Sequence, residues 1–272
     1  MGDIRAIVVA GNGINCETEM AHACRLGGFE QVDICYIHDI LRGEVDLEDY
    51  HLFCMPGGFM DGDDLGSAKA AAVLWRYSLL PDGSELADSV FHFIEQGKLI
   101  IGVCNGFQLL VKLGLLPALD MVYFDQHVTL THNDSGRFED RWAHLVVNPK
   151  SPCVFLDGID RLYLPVRHGE GKLVAASDEV LSKMRQRQLI ALRYATANGE
   201  PTMSYPANPN GSVDAIAGIC DESGRVFGLM PHPEAFLHYT NYPQWPRHKS
   251  MPDEGQGVAI FRNAYQYLKK RF

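Results

Sequence analysis

The stretch LIIGVCNGFQLLVKLG, residues 99–114, joins an apolar run to an amphipathic segment through one cysteine that stands between two glycines. The run before Cys104 is apolar at nearly every position, which is typical of a strand covered on both faces. Residues 106–113 then predict a helix, and Gly114 stands where a left-handed residue commonly closes one. The stretch therefore predicts a β-strand that turns directly into an α-helix.

Similar units precede this stretch. IRAIVVAG (4–11) predicts a first buried strand, after which Asn15 is expected to cap a helix that ends at Gly27 and Gly28. Further strands are predicted over 32–37 and 51–55, and further helices over 67–79 and 86–96. This alternation indicates an α/β fold, a doubly wound and mostly parallel sheet flanked by helices, with its chemistry at the carboxyl ends of the strands.

The second half of the chain has a different pattern. Apolar and polar residues alternate over 121–132, 143–148 and 161–168, which favours some antiparallel or edge strands. A hairpin is predicted through 222–224, and the chain ends in a predicted helix over 257–270. Residues 199–211 and 238–256 are both predicted to be surface loops.

Length and charge limit the classes of function. At 272 residues and 46% hydrophobic, the chain is long enough for a large core, and a single domain over residues 1–272 is expected. The balance of 24 basic against 34 acidic residues argues against nucleic acid as a partner. No apolar run approaches the ~20 residues of a membrane span, so we expect no membrane partner and a cytoplasmic location.

The cysteines indicate neither a disulfide framework nor a zinc site, because they are odd in number, widely spread and without a C-x-x-C pair. Most are expected to be small buried side chains. The seven are Cys16, Cys24, Cys35, Cys54, Cys104, Cys153 and Cys220.

Cys104 stands apart because G-x-C-x-G between a strand and a helix is the cysteine form of a nucleophile elbow. The positive end of the following helix favours the thiolate. The backbone N–H of Asn105 would point to where an oxyanion develops, and a second donor is expected from the turn at Gly57 and Gly58. A buried cysteine in a tight turn is the alternative interpretation.

A thiolate nucleophile needs a base, and two H-x-E patterns offer one. His232 precedes Pro233, which favours extended backbone and lets Glu234 lie beside the imidazole. In the other pattern, His168 and Glu170 are interleaved with glycines, which predicts a flexible turn with less control over orientation. The residues favour His232 modestly over His168, and a solvated loop remains open for both.

Several separated motifs resemble one family. GVCNGFQLL, GLMPHPE and MPGGF are similar to those of class I glutamine amidotransferases. NGINCETEMAHACRLGGF, HGEGKL, NDSGRFEDRW and EGQGVAIFRNA more narrowly resemble the glutaminase component of phosphoribosylformylglycinamidine synthase. The resemblance runs from residue 5 to the final helix, and it implies the flavodoxin-like fold of the class.

The resemblance implies a role for individual residues. Cys104 would be the nucleophile, His232 the general base and acid, and Glu234 the residue that orients it. The oxyanion-hole amides would come from Gly58 and Asn105, and Gln108 would bind the substrate L-glutamine. A contact with a partner subunit, or the rim of the active site, is implied for Asn15, Cys16, His168 and Glu170.

The resemblance also implies partners. Ammonia from glutamine would pass to a synthetase subunit, which converts formylglycinamide ribonucleotide to its amidine, and a small accessory subunit is a further expected partner. ATP and magnesium would be used by the synthetase subunit, and this chain would need no metal or organic cofactor. The sequence contains no Walker-type loop, and Cys16 replaces the third glycine of a dinucleotide fingerprint.

Two positions depart from the family pattern. The segment after MPGGF reads MDGDDLGSAKAAA without the usual arginine, and Ala235 stands where an arginine commonly follows PHPE. Three alternatives remain open at this point: a glutaminase that serves another synthetase, a stand-alone cysteine hydrolase of related fold, and a non-catalytic binding subunit.

Overall fold

The computed structural model describes residues 3–247 and 251–272. The strands are β1 (Arg5–Ala10), β2 (Gln31–Tyr36), β3 (Leu52–Met55), β4 (Leu99–Val103), β5 (Val128–Thr131), β6 (Glu139–Val147), β7 (Arg161–His168), β8 (Lys172–Ala175), β9 (Ile190–Ala195), β10 (Ile216–Cys220) and β11 (Val226–Leu229). The helices are α1 (Glu17–Gly27), α2 (Ile37–Leu41), α3 (Lys69–Tyr77), α4 (Leu86–Glu95), α5 (Asn105–Lys112), α6 (Asp178–Gln186) and α7 (Val258–Arg271).

A nine-stranded sheet with the order β2-β1-β3-β4-β11-β10-β9-β6-β7 forms the centre of the molecule. The strands from β2 to β11 in this order are parallel to their neighbours, and those from β11 to β7 are antiparallel. Strands β5 and β8 form a separate antiparallel pair. The predicted α/β class, with antiparallel strands in the second half, is confirmed.

Helices cover both faces of the parallel half. Phe53 of β3 stacks on Trp75 of α3 at 5.7 Å between ring centroids and lies 6.0 Å from Phe93 of α4. The next residue, Cys54, faces the opposite side, where its Sγ lies 3.7 Å from that of Cys24 in α1. The two-sided cover explains why the residues of β3 and β4 are completely buried and uniformly apolar, apart from one glycine.

The first helix begins later than the sequence predicts. The sequence predicts Asn15 as the N-cap, but α1 begins at Glu17 with Cys16 in the cap position and no side-chain cap bond. The Asn15 side chain instead accepts a weak bond from the Cys16 thiol at 3.3 Å. Tertiary contacts decide this geometry, because the backbone N–H of Asn15 donates to Gly57 O at 3.3 Å.

Two other predictions about the second half are wrong in part. Residues 121–127 alternate in polarity but form no strand, and the strand of this region is confined to β5. Backbone with positive φ at Met121 (59°) and Phe124 (64°) is incompatible with a strand there. The loop at 199–211 is not wholly at the surface, because the side chains of Asn208 and Asn210 are buried and donate hydrogen bonds to backbone oxygens.

The predicted loop at 238–256 lies partly outside the described residues, at 248–250. Tyr242 packs beside Trp142 and Tyr163 at 5.9 and 5.8 Å between ring centroids, whereas Trp245 stays exposed beside Tyr239. Among the described helices, none has the length and apolar content that crossing a membrane requires.

Candidate active site

Cys104 lies at the turn between β4 and α5 in a strained backbone conformation. Its φ is 51° and its ψ is −105°, outside the regions that a residue with a side chain ordinarily adopts. Such a conformation costs about 1–3 kcal/mol and persists where the surroundings enforce it. Here the Cys104 amide donates to Leu229 O of β11 at 2.9 Å. The predicted elbow is therefore present in the structure.

The two glycines of the elbow are required by close packing. A Cβ atom at Gly102 would lie 2.6 Å from the backbone oxygen of Gly106, and one at Gly106 would lie 1.9 Å from the backbone oxygen of Met55. Neither distance can be relieved by a flexible side chain, because both contacts are to backbone. The small residues let α5 start directly against β3 and β4, which lifts Cys104 to the carboxyl edge of the sheet.

His232 and Glu234 form a buried pair close to this edge. The His232 Nδ1 atom lies 2.6 Å from Glu234 Oε1, and each residue is 2% exposed. The His232 backbone is extended as expected, but residues 233–235 form one turn of 3₁₀ helix that brings Glu234 back to the ring. The backbone N–H of His232 also donates to Pro165 O of β7 at 2.8 Å. The ring is thus held at Nδ1 by Glu234, and the backbone that carries it is held by β7.

The side chains of His232, Cys104 and Cys16 all lie close to the position where a Cβ atom of Gly57 would be. A Cβ atom there would lie 2.8 Å from His232 Cε1 and 3.4 Å from both Cys104 Cβ and Cys16 Sγ. The thiol of Cys104 donates to Arg167 O at 3.6 Å, and His232 Nε2 has no hydrogen-bond partner among the described residues. The structure thus brings Cys104, His232 and Glu234 together, with Cys16 beside them.

The electrostatics of His232 favour its charged form. Burial alone would lower the pKa of His232, but the negative charges of Glu234 and of a Cys104 thiolate outweigh it and raise the pKa well above its ordinary value. An imidazolium can donate a proton to a leaving group, and it stabilises a neighbouring thiolate. The site therefore favours an imidazolium at His232.

A cavity of about 490 Å³ opens above these groups. Cys104, Gln108, His168 and His232 line it, and Phe59 and Phe138 stand partly exposed at its mouth. Ala235, at one of the two positions that depart from the family pattern, also lines the cavity. The volume is within the usual range of small-molecule sites in proteins.

The two predicted oxyanion donors lie in two different turns, Gly58 after β3 and Asn105 directly after Cys104. Asn105 is the first residue of α5, where the backbone N–H has no intrahelical acceptor. Gly58 lines the cavity with φ of 147°, and a Cβ atom there would meet Gly13 O at 2.5 Å. The Asn105 side chain accepts from Met60 N at 2.8 Å, a contact that sequence reasoning missed. This bond ties the Gly58 turn to the helix of the nucleophile.

Gln108 is buried and engaged on both ends of its amide. Its Oε1 accepts from Asn105 Nδ2 at 3.0 Å, and its Nε2 donates to Glu170 O at 2.5 Å. The residue lines the cavity and also fixes the backbone at Glu170. The Glu170 carboxylate in turn accepts from Ser67 N at 3.3 Å. The segment after MPGGF is thereby held against the cavity wall.

His168 differs from the flexible residue that its neighbouring glycines predict. It ends β7, is 3% exposed, and its Nδ1 lies 3.1 Å from Asn133 Oδ1. Asn133 Nδ2 donates to the backbone oxygens of His168 and Arg137, so Oδ1 must face the ring and Nδ1 must carry the proton. Burial, and then the charge of His232, lower the pKa of His168 to about 3. His168 is a rigid, neutral part of the cavity wall.

A buried polar network supports this wall, and single residues of the sequence did not reveal it. Asn133 Oδ1 also accepts from Gly171 N at 2.9 Å. Asn210 Nδ2 and Ser212 Oγ both donate to Gly171 O, at 2.8 and 3.2 Å. The signal was present as asparagines within NDSGRFEDRW and within the loop at 199–211, but their partners are far away in sequence.

Asn15 and Cys16, predicted at a partner contact or the rim, both line the cavity. The Cys16 Sγ atom, a ring nitrogen of His232 and a carboxylate oxygen of Glu234 all lie within 4.8 Å of one another. The thiol is therefore part of the wall next to the reactive groups.

Comparison with known proteins agrees with this geometry. Residues 3–268 match the family described as the CobB/CobQ-like glutamine amidotransferase domain, and the chain belongs to this family. The chain is 43% identical over 270 residues to the phosphoribosylformylglycinamidine synthase subunit PurQ of Dehalococcoides mccartyi, with 99% of this chain and 100% of that protein covered.

Two further relatives extend the match. The subunit PurQ of Methanococcus maripaludis strain S2 is 39% identical over 278 residues, with 98% of each chain covered. A chain in the solved structure of PurLQS from Thermotoga maritima is 30% identical with a TM-score of 0.69, covering 98% of this chain and 100% of that one. The family predicted from the motifs is confirmed.

Proposed function

We propose that this chain is the glutaminase subunit of a phosphoribosylformylglycinamidine synthase and hydrolyses L-glutamine to glutamate and ammonia. The observation that supports it best is the convergence of Cys104, His232 and Glu234 at a strained elbow beside a cavity of about 490 Å³. The match to relatives named as PurQ subunits over nearly the whole chain supports the particular synthase.

In the first half of the reaction, the Cys104 thiolate attacks the side-chain carboxamide carbon of glutamine. A C–S bond forms, and the carboxamide oxygen becomes an oxyanion that accepts from the N–H groups of Gly58 and Asn105. The C–N bond then breaks as the His232 imidazolium gives its proton to the departing nitrogen, which leaves as ammonia. Glu234 keeps the ring oriented through its 2.6 Å contact with Nδ1.

In the second half, the glutamyl thioester is hydrolysed. The now neutral His232 takes a proton from water, and the oxygen attacks the thioester carbon. The C–S bond breaks, which returns the Cys104 thiolate and the imidazolium and releases glutamate. Glutamine and water are consumed, and glutamate and ammonia are produced, so no cofactor is required for this half in the proposal.

The ammonia released from glutamine would pass to a partner subunit. We propose that a synthetase subunit uses it, with ATP and magnesium, to convert formylglycinamide ribonucleotide to its amidine, and that a small accessory subunit joins the complex. The solved structure of PurLQS from Thermotoga maritima, which contains the similar chain, supports this arrangement.

The test is ammonia and glutamate release from glutamine by the purified protein, alone and with the synthetase subunit and its nucleotide substrate. We expect Cys104→Ala and His232→Ala each to lose at least about 10⁴-fold in kcat, since members of such a triad act as a unit. His132→Ala, a change at an exposed residue of the cavity mouth, is the matched control. If the wild-type protein releases nothing in either setting, or if Cys104→Ala retains its rate, the proposal fails.

A further inference from the structure

The thiol of Cys16 lines the cavity, and the proposed reaction gives it no role. It is half-buried at the N-cap position of α1, and its Sγ lies within 4.8 Å of a ring nitrogen of His232 and of a Glu234 oxygen. Thiolate and imidazole are the ligands that Zn²⁺ prefers in proteins. We propose that Cys16, His232 and Cys104 form an inhibitory Zn²⁺ site over the catalytic groups.

The imidazole of His232 is prepared to bind a metal ion. Its Nε2 atom is buried and makes no hydrogen bond of ordinary geometry among the described residues, and the thiols that interact with the ring are those of Cys104 and Cys16. Its Nδ1 atom is held at 2.6 Å by Glu234 Oε1. Metal-binding histidines commonly have this arrangement, in which a carboxylate on one nitrogen orients the ring so that the other can bind the ion.

The distances allow a shared ion after a small movement. Zn–S and Zn–N bonds of about 2.3 and 2.0 Å place two ligand atoms of a tetrahedral site roughly 3.5 Å apart. The Cys16 Sγ and the nearer ring nitrogen of His232 are at most 4.8 Å apart, so these two atoms need to approach by no more than about 1.3 Å. The Cys16 thiol is bonded to Asn15 Oδ1 at 3.3 Å, an exposed and weak contact, so rotation of this side chain costs little.

Cys104 completes the set of protein ligands. Gly57 lacks a side chain at the point where a Cβ atom would lie 2.8 Å from His232 Cε1 and 3.4 Å from Cys104 Cβ and Cys16 Sγ. The three side chains therefore face one small space. The Cys104 Sγ atom is not among the ligand atoms that lie within 4.8 Å of one another, so it must rotate from its contact with Arg167 O to reach the ion. Three protein ligands leave a fourth position of a tetrahedral ion open to the cavity. An ion bound here occupies both the nucleophile and the base, so it blocks the reaction.

The position of these residues in the chain explains why motif spacing does not reveal the site. Cys16 and Cys104 precede helices α1 and α5, whereas His232 follows β11. Their order along the chain has no short spacing such as C-x-x-C. The parallel sheet brings them together at one edge.

The test measures metal binding directly. Protein freed of metal with a chelator is titrated with Cd²⁺, and the thiolate-to-metal charge-transfer absorption in the ultraviolet is followed, while Zn²⁺ affinity is measured by calorimetry. We expect one ion per chain with a clear thiolate band in the wild type. We expect Cys16→Ser to lose at least about tenfold in Zn²⁺ affinity and part of the band. Cys35→Ser, a half-buried thiol in β2 away from the cavity, is the matched control and should bind as the wild type.

Two results would overturn the site: no stoichiometric binding by the wild type, or a Cys16→Ser variant with unchanged affinity and absorption. Cys16→Ala is a second variant for the case that the serine variant misfolds. Its near-ultraviolet circular dichroism spectrum should be native, and its Zn²⁺ affinity should fall as that of Cys16→Ser does. Reversal of Zn²⁺ inhibition by a chelator is a second readout, and it rests on the proposed glutaminase function. Because the absorption titration needs no turnover, failure of the metal site and failure of the function are distinguishable.

Discussion

Substituting Gly57 by alanine tests how precisely the imidazole of His232 must be placed. The backbone at Gly57 has no positive φ, so the added methyl group acts through space alone. It would lie 2.8 Å from His232 Cε1, whereas ordinary carbon contacts begin at about 3.4 Å, so the ring must move by at least about 0.6 Å. The ring cannot rotate away freely, because Glu234 holds Nδ1 and β7 holds the backbone N–H.

We expect kcat of glutamine hydrolysis to fall about 10- to 100-fold in Gly57→Ala, since a displacement near 1 Å can cost about 100-fold. This range corresponds to about 1.4–2.8 kcal/mol of transition-state stabilisation. We expect the stability loss to be in the range of overpacked cores, about 1–3 kcal/mol, and the protein to remain folded.

The assay is steady-state glutaminase kinetics, normalised to folded protein by near-ultraviolet circular dichroism. Gly11→Ala is the matched control, because a Cβ atom there meets Ile14 Cδ1 and Ile37 Cγ2 at ordinary distances of 3.6 and 3.8 Å. Wild-type kcat in a folded Gly57→Ala protein would refute the reasoning, since the ring would then have room that the structure denies it.

Three further predictions concern the charges and the polar network. The Glu234→Gln substitution removes the carboxylate that raises the pKa of His232, so the alkaline limb of the pH profile of kcat should move to lower pH. If this limb does not move, a group other than His232 determines it. The pKa of His168 is lowered to about 3 in the folded protein. Between about pH 6.5 and 3 the unfolded state therefore binds a proton at His168 that the folded state does not bind, so the free energy of unfolding should fall as the pH drops through this range. His168→Gln should reduce this slope in urea titrations across that range, and an equal slope would contradict the burial argument. Asn133→Ala leaves its buried hydrogen-bond partners unpaired, so it should lower the free energy of unfolding by about 1–3 kcal/mol per unpaired group and raise KM for glutamine. Asp134→Ala, a neighbouring change at the surface, is the control and should change neither quantity.

Local sequence determined the elements of the first half. Uniformly apolar runs require burial on both faces, and glycines end the helices, so the strands β1, β3 and β4 were predictable to within about two residues. The elbow at Cys104 was equally local, because its glycines, strand and helix are neighbours in the chain. The same holds for the pairing of His232 with Glu234, which are two residues apart.

Only the tertiary structure decided which distant groups meet. Asn15 does not cap α1 because backbone contacts with Gly57 impose another geometry, and no local signal encodes that contact. The glycines around His168 predicted flexibility, but a side chain far away in sequence, Asn133, fixes the ring and its proton. Polarity patterns report burial of each residue, whereas hydrogen bonds between residues more than 30 positions apart depend on the packing of the whole sheet. Cys16 lies beside His232 for the same reason: the carboxyl ends of parallel strands gather at one edge, and this convergence exists only once the chain has folded.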